Sequence, residues 1–115
     1  MDWFKFDTGQ TLGKKGSEDG TIIDDQENVN GARVTLEQNG SIAPFSVTVG
    51  IYGLMFHTHF SDSLTQAQKY LDFAKFKIDQ VFVLYKTPDK ERDTNWKNKF
   101  NLLMEEIVEQ KQTGG

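Results

Sequence analysis

Residues 34 to 60 constrain the fold most, because apolar and polar residues alternate along them and two glycine-bearing turn signals interrupt the pattern. Such alternation marks strands with one buried face. Phe45-Ser46-Val47-Thr48-Val49 shows it strictly. Asn39-Gly40 favours a two-residue hairpin turn, since both central residues of that turn need positive φ. Pairing Gln38 with Ser41 then sets Leu36 opposite Ala43, Val34 opposite Phe45 and Arg33 opposite Ser46. Pro44 falls opposite Thr35, so either its missing N–H points to a sheet edge or the strand bulges there. A second turn at Tyr52-Gly53 sets Ile51 against Leu54, Val49 against Phe56 and Phe45 against Phe60.

The meander so drawn has an inner face of Val34, Leu36, Phe45, Val47, Val49, Ile51, Leu54, Phe56 and Phe60. Its other face carries Arg33, Thr35, Ser46, Thr48, His57 and His59. Two shorter strands precede it. Trp3-Phe4-Lys5-Phe6-Asp7 has strand-like aromatic density, and Thr21-Ile22-Ile23-Asp24 is rich in β-branched residues. Residues 8–20, with Gly9, Gly13, Gly16 and Gly20 among polar neighbours, read as a mobile loop, and the acidic run to Gly31 reads as another.

Beyond residue 60 the period changes. Ser63-Leu64-Thr65-Gln66 has the form of a capping box, so a helix is predicted to begin there. Leu64, Ala67, Leu71, Ala74, Ile78, Val81 and Tyr85 then follow at three- and four-residue spacing, a stripe suited to covering the sheet's inner face. Residues 81–85 would suit a buried strand as well; the unbroken stripe favours continued helix. Thr87-Pro88 signals a second helix, carrying Trp96, Phe100, Leu103, Met104, Ile107 and Val108 on its apolar side to about Lys111. The predicted fold class is α+β: an antiparallel meander of four to five strands packed by one long helix, then a C-terminal helix.

The chain's 115 residues fit one hydrophobic core, so a single domain is expected over residues 1–112, with 113–115 a disordered tail. No apolar run approaches the ~18 residues of a membrane span, and the first residues lack the pattern of a signal peptide. The expectation is a soluble, cytoplasmic protein without a membrane role. The absence of cysteine excludes disulfides and thiol chemistry. The net charge of -4 arises near the N-terminus, where Asp2, Asp7, Glu18, Asp19, Asp24, Asp25 and Glu27 outnumber Lys5, Lys14 and Lys15. Without a basic stripe, nucleic acid is not an expected partner.

Two resemblances to ligand loops fail on chemistry. Residues 9–15 are one residue short of a phosphate-binding loop, and Lys15 stands where a magnesium-holding hydroxyl belongs. Residues 26–37 place Asn28, Asn30, Gly31 and Glu37 as a calcium loop would, but Gln26 occupies the position that requires an Asp. No cofactor is expected.

His57 and His59 are the candidate chemical pair, since alternation sends both imidazoles to one face. A metal there would need a third ligand, with Asp62 or Glu37 nearest by sequence and register. The plain alternative is a polar face of Arg33, Ser46, Thr48, His57 and His59 that contacts a partner. Phe73, Phe76 and Val83 on the first helix, with Trp96 and Phe100 on the second, form a candidate interface. The second helix runs from Lys90, Arg92, Lys97 and Lys99 to Glu105, Glu106 and Glu109, so two antiparallel copies would pair opposite charges in a homodimer. The leading expectation is a non-catalytic binding or regulatory module acting through protein contacts, with itself or another protein. The opposing one is a small metal-dependent or acid–base enzyme built on His57 and His59.

Overall fold

A computed structural model describes residues 2–109; the expected tail at 113–115 and the last turn to Lys111 lie outside them. The chain is α+β, with a five-stranded antiparallel meander in the order β1-β2-β3-β4-β5. The strands are β1 (Trp3–Lys5), β2 (Thr21–Asn28), β3 (Ala32–Gln38), β4 (Phe45–Ile51) and β5 (Met55–Ser61), followed by helices α1 (Leu64–Leu84) and α2 (Thr94–Glu109). The described residues divide into two compact units, one ending at Asp72 and the other beginning at Phe73. Among them no helix is long and apolar enough to cross a membrane.

The acidic run that reads as loop is strand in the structure, because β2 continues through Asp24, Asp25 and Glu27 to Asn28. The hydrogen bonds supply the reason: Asp25 accepts from Thr35 and Arg33 across the β2–β3 ladder, Glu27 sits opposite Arg33 and accepts from the Tyr52 hydroxyl, and Asp24 accepts from Gln26. A bulge at Ile23 puts Ile22 and Asp25 on the same face. Asn28 accepts the Asn30 N–H at 2.8 Å, and Gly31 turns the chain at φ 109. That is a hairpin, not a cation loop.

The β3–β4 hairpin is longer than a two-residue turn. Val34 pairs with Val49 and Leu36 with Val47, an even displacement from the predicted register that leaves every side chain on its predicted face. Asn39 adopts φ 60, and its N–H bonds the Pro44 carbonyl at 2.7 Å to close a loop over residues 39–44. Gly40 serves close approach: a Cβ there would lie 2.7 Å from the Glu18 carbonyl oxygen. Docking of this loop on residue 18, where Ser41 N–H bonds the same carbonyl, overrides the local turn preference.

The β4–β5 register departs by one residue, with the larger consequence. Leu54 N–H bonds the Ile51 carbonyl, and Gly53 takes φ 80, so residues 52–54 all belong to the turn and Ile51 pairs with Met55. Val49 then faces His57 and Val47 faces His59. A one-residue slip exchanges the faces of a whole strand. His57 and His59 therefore share the apolar face, while Phe56, Thr58 and Phe60 share the face of Arg33, Thr35, Ser46 and Thr48.

On the inner face Ala32, Val34, Leu36, Val47, Val49 and Ile51 are buried. The first turns of α1 begin as predicted, with Ser63 Oγ accepting the Gln66 N–H at 3.2 Å. Tyr70, buried with Ala67 and Leu71, stacks on His59 at 4.1 Å between ring centroids. Burial raises the Tyr70 phenol well above its ordinary value.

In the second unit, residues 81–84 are helix, and Ala74, Ile78 and Val81 of the predicted stripe are buried. Helix α2 starts later than Thr87-Pro88 suggests. Pro88 opens only a single 3-10 turn at Asp89–Glu91, and Asp93 caps α2 by accepting the Trp96 N–H at 2.9 Å. Arg92 and Trp96 close the end of α1: Arg92 donates to the carbonyls of Thr87 and Tyr85, and Trp96 Nε1 donates to Leu84 at 2.8 Å.

The half-buried histidines give a pH test. Desolvation lowers both imidazoles below the ordinary 6.5, and the charge of His57 adds to the effect at His59. As pH falls past that value the unfolded chain binds protons that the folded chain resists. Stability is therefore full above it and declines down to the depressed folded values. Urea midpoints should fall between about pH 7 and about pH 5, with a shallower decline in the His57→Gln/His59→Gln double variant. Equal declines would show that other groups set the pH dependence.

Candidate binding cleft

The outer face of the sheet is half covered by residues 10–20, and the cover is built from buried carboxylates. Glu37, 1% exposed, accepts the backbone N–H groups of Glu18 and Gly20, each at 3.1 Å. Gly16 lies so close that a Cβ would sit 2.3 Å from the Glu37 carboxyl carbon. Gly13 N–H bonds the Ile22 carbonyl at 2.8 Å, and Ile22 N–H bonds Lys14 in return at 2.8 Å. The glycine-rich segment that reads as mobile is thus laced to β2 and β3.

Asp25 anchors the second half of this cover. Its side chain is fully buried and accepts four bonds: Arg33 Nε at 2.9 Å, Arg33 Nη2 at 2.7 Å, Thr35 Oγ1 at 3.0 Å and Thr11 Oγ1 at 2.7 Å. The two parallel bonds from Arg33 are the bidentate arrangement that a guanidinium makes best. Hydrogen bonding to Asp25 raises the guanidinium above its already high ordinary value, so it is permanently charged. Its plane lies 3.6 Å over the Phe6 ring.

Around this clamp lies a cleft of ≈ 410 Å³ lined by Phe6, Thr11, Lys14, Lys15, Gly16, Ser17, Ile22, Arg33, Thr35, Thr48, Gly50, Tyr52 and Phe56. Phe56 is 78% exposed at its mouth. Tyr52 is fixed by its hydroxyl, which donates to Glu27 at 3.2 Å; burial, then the Glu27 charge, raises its phenol above the ordinary value. Lys15 pairs with Asp19 at 3.3 Å. Lys14 and Arg33 Nη1 have no protein partner among the described residues. The cleft thus offers two cationic donors between aromatic surfaces.

The predicted polar face divides. Arg33 and Thr48 line the cleft; Ser46 shares their face but is buried beside Glu37, its Oγ unbonded among the described residues. His57 and His59 are on the opposite face and do not join this set. The proposed third metal ligand Glu37 is on the outer face and spent on backbone amides. Among the described residues no group of three or more His, Asp or Glu side chains is placed to hold a metal ion. Sequence reasoning missed Phe6, Thr11, Lys14, Tyr52 and Phe56. Counting three residues in the Tyr52-Gly53-Leu54 turn would have recovered Phe56.

The predicted helical interface also divides. Trp96 stacks on Phe100 at 5.4 Å, and Tyr85 meets both rings edge-on, so these aromatics pack within the second unit. Phe73 is half-buried, with Lys77 Nζ 5.6 Å from its ring. Phe76 and Val83 are exposed and line a groove with Leu102 and Leu103, rimmed by the Lys77–Glu106 ion pair at 3.1 Å.

No protein-family model matches this chain, and no curated protein or solved structure matches it. Geometry alone carries the functional argument.

Arg33→Ala would leave the buried Asp25 carboxyl group with two hydroxyl donors in place of four bonds. The expected loss is about 3 kcal/mol in denaturant unfolding, at the low end for a broken buried pair because water reaches Arg33. A loss near zero would show that the clamp does not hold the segment.

Proposed function

We propose that this chain is a non-catalytic binding module that takes a peptide segment of a protein partner into the outer-face cleft. The observation that carries this reading is the Arg33 guanidinium, fixed by Asp25 and Phe6 beside the exposed rings of Tyr52 and Phe56. Arginine and large aromatics held at low entropic cost are the residues that dominate protein interfaces. A pre-fixed guanidinium loses little freedom when a carboxylate arrives.

The chemistry of the cleft selects the partner. Arg33 and Lys14 favour a carboxylate, and Tyr52 and Phe56 favour an apolar or aromatic side chain near it. The reading is non-catalytic because Asp25, the carboxylate behind Arg33, is fully buried, is already engaged by four donors and does not line the cleft. The imidazoles of His57 and His59 lie across the sheet from it.

A displayed peptide library selected on the purified protein should enrich sequences that combine an acidic residue with an aromatic one. Phe56→Ala and Lys14→Glu should each weaken the selected peptides at least ~10-fold, the loss expected of a contact worth more than about 1 kcal/mol. Phe56 is exposed, so its truncation should leave the fold intact. Absence of enrichment, or peptides that bind both variants as tightly as the parent, would overturn the reading.

A further inference from the structure

We infer that two copies of the chain join through β5, pairing antiparallel about a two-fold axis at Thr58 so that their sheets become one. The strand ends the sheet, and among the described residues no backbone group of Met55–Ser61 bonds to anything beyond the β4 ladder. Soluble proteins protect such edges with charge, proline, bulges or brevity. β5 has none of these: it is seven residues long, its sequence is Met-Phe-His-Thr-His-Phe-Ser, and its pairing with β4 is unbroken. The opposite edge, β1, is three residues long and includes Lys5.

The occupant follows from the sequence of the strand. Phe56-His57-Thr58-His59-Phe60 reads the same in both directions. A two-fold antiparallel pair centred on Thr58 sets Phe56 of each copy opposite Phe60 of the other, His57 opposite His59, and Thr58 opposite itself. A two-fold axis sets each residue against its mirror position in the second copy, so this palindrome makes the strand complementary to itself at every position, as an isologous contact favours. Both phenylalanines lie on the outer face, 78% and 39% exposed, so the pairing covers them with two aromatic cross-strand contacts. A register slip of two residues would place each Phe against Thr or leave it unpaired. No charge on the strand opposes the contact.

The pairing also bears on the cleft. Phe56 stands at its mouth, so Phe60 of the second copy would extend the aromatic wall there. The inference does not depend on what the cleft binds.

The chain has no cysteine, which makes Thr58→Cys a clean probe. We expect the parent to sediment as a dimer at tens of micromolar, and Thr58→Cys to oxidise to a covalent dimer while Thr65→Cys on α1 does not. Thr58→Lys, which sets like charges face to face, should weaken dimerisation at least ~100-fold with unchanged circular dichroism. Val83→Glu, in the helical groove, should leave the dimer intact. A monomeric parent at high micromolar concentration would overturn the inference, as would a dimer lost in Val83→Glu but kept in Thr58→Lys. Equal cross-linking at positions 58 and 65 would do the same, and decides the matter if Thr58→Lys fails to fold.

Discussion

Asp25 surrenders all of its hydration, and the first unit is organised around restoring what that costs. An unpaired carboxylate in this position would be strongly destabilising, so its four acceptor bonds must form together with the fold. They come from two directions. Arg33 and Thr35 reach it across the β2–β3 ladder, while Thr11 reaches it from the glycine-rich segment. The same carboxylate thereby fixes strand register and closes the segment over the sheet. Glu37 repeats the device nearby, using backbone amides of Glu18 and Gly20 in place of side chains. Gly16 is explained by this second carboxylate, because any side chain there would occupy its site, whereas Gly9 and Gly13 answer to their φ of 85.

From this constraint the cleft follows without further design. Fixing Arg33 against Asp25 presents one face of its guanidinium to Phe6, which the 3-10 turn at Phe6–Gly9 carries beneath it. Asp7 and Thr8 adopt φ 50 and 53, a region that non-glycine residues seldom enter. Such strain persists where surrounding contacts over-determine it. Here the contacts are the clamp on one side of the turn and the pairing of β1 with β2 on the other.

Much of the architecture was legible in local pattern. Alternation gave the meander, and helical spacing resolved residues 81–84 as helix despite their β-branched content. The faces of β3 and β4 survived a wrong turn assignment because the displacement was even. Those of β5 did not, because Tyr52-Gly53-Leu54 adds one residue to the turn and parity has no tolerance for odd errors. The site was less legible for a related reason. Arg33 and Thr48 could be placed by alternation, but Thr11 meets Asp25 only through a loop, and Phe6, just after β1, meets Arg33 on β3 with β2 between them. No period links such residues. The acidic run misled for the same cause: Asp25 looks solvated until its partners Arg33 and Thr35 on β3 are known.

Phe56 shows why the outer face divides into a sealed half and an open one. Its ladder partner is Gly50, and a Cβ at that glycine would lie 3.3 Å from the Phe56 ring. The ring thus lies in the space a cross-strand side chain would fill, an arrangement that supports a glycine within a sheet. That support holds the ring close to the ladder yet leaves it largely exposed, next to a cleft with cationic donors. Burial of the aromatic within its own unit would have required more chain over β4 and β5, but residues 10–20 are held over β2 and β3 by Asp25 and Glu37. The placement of two carboxylates on adjacent strands therefore determines which half of the sheet remains available for recognition.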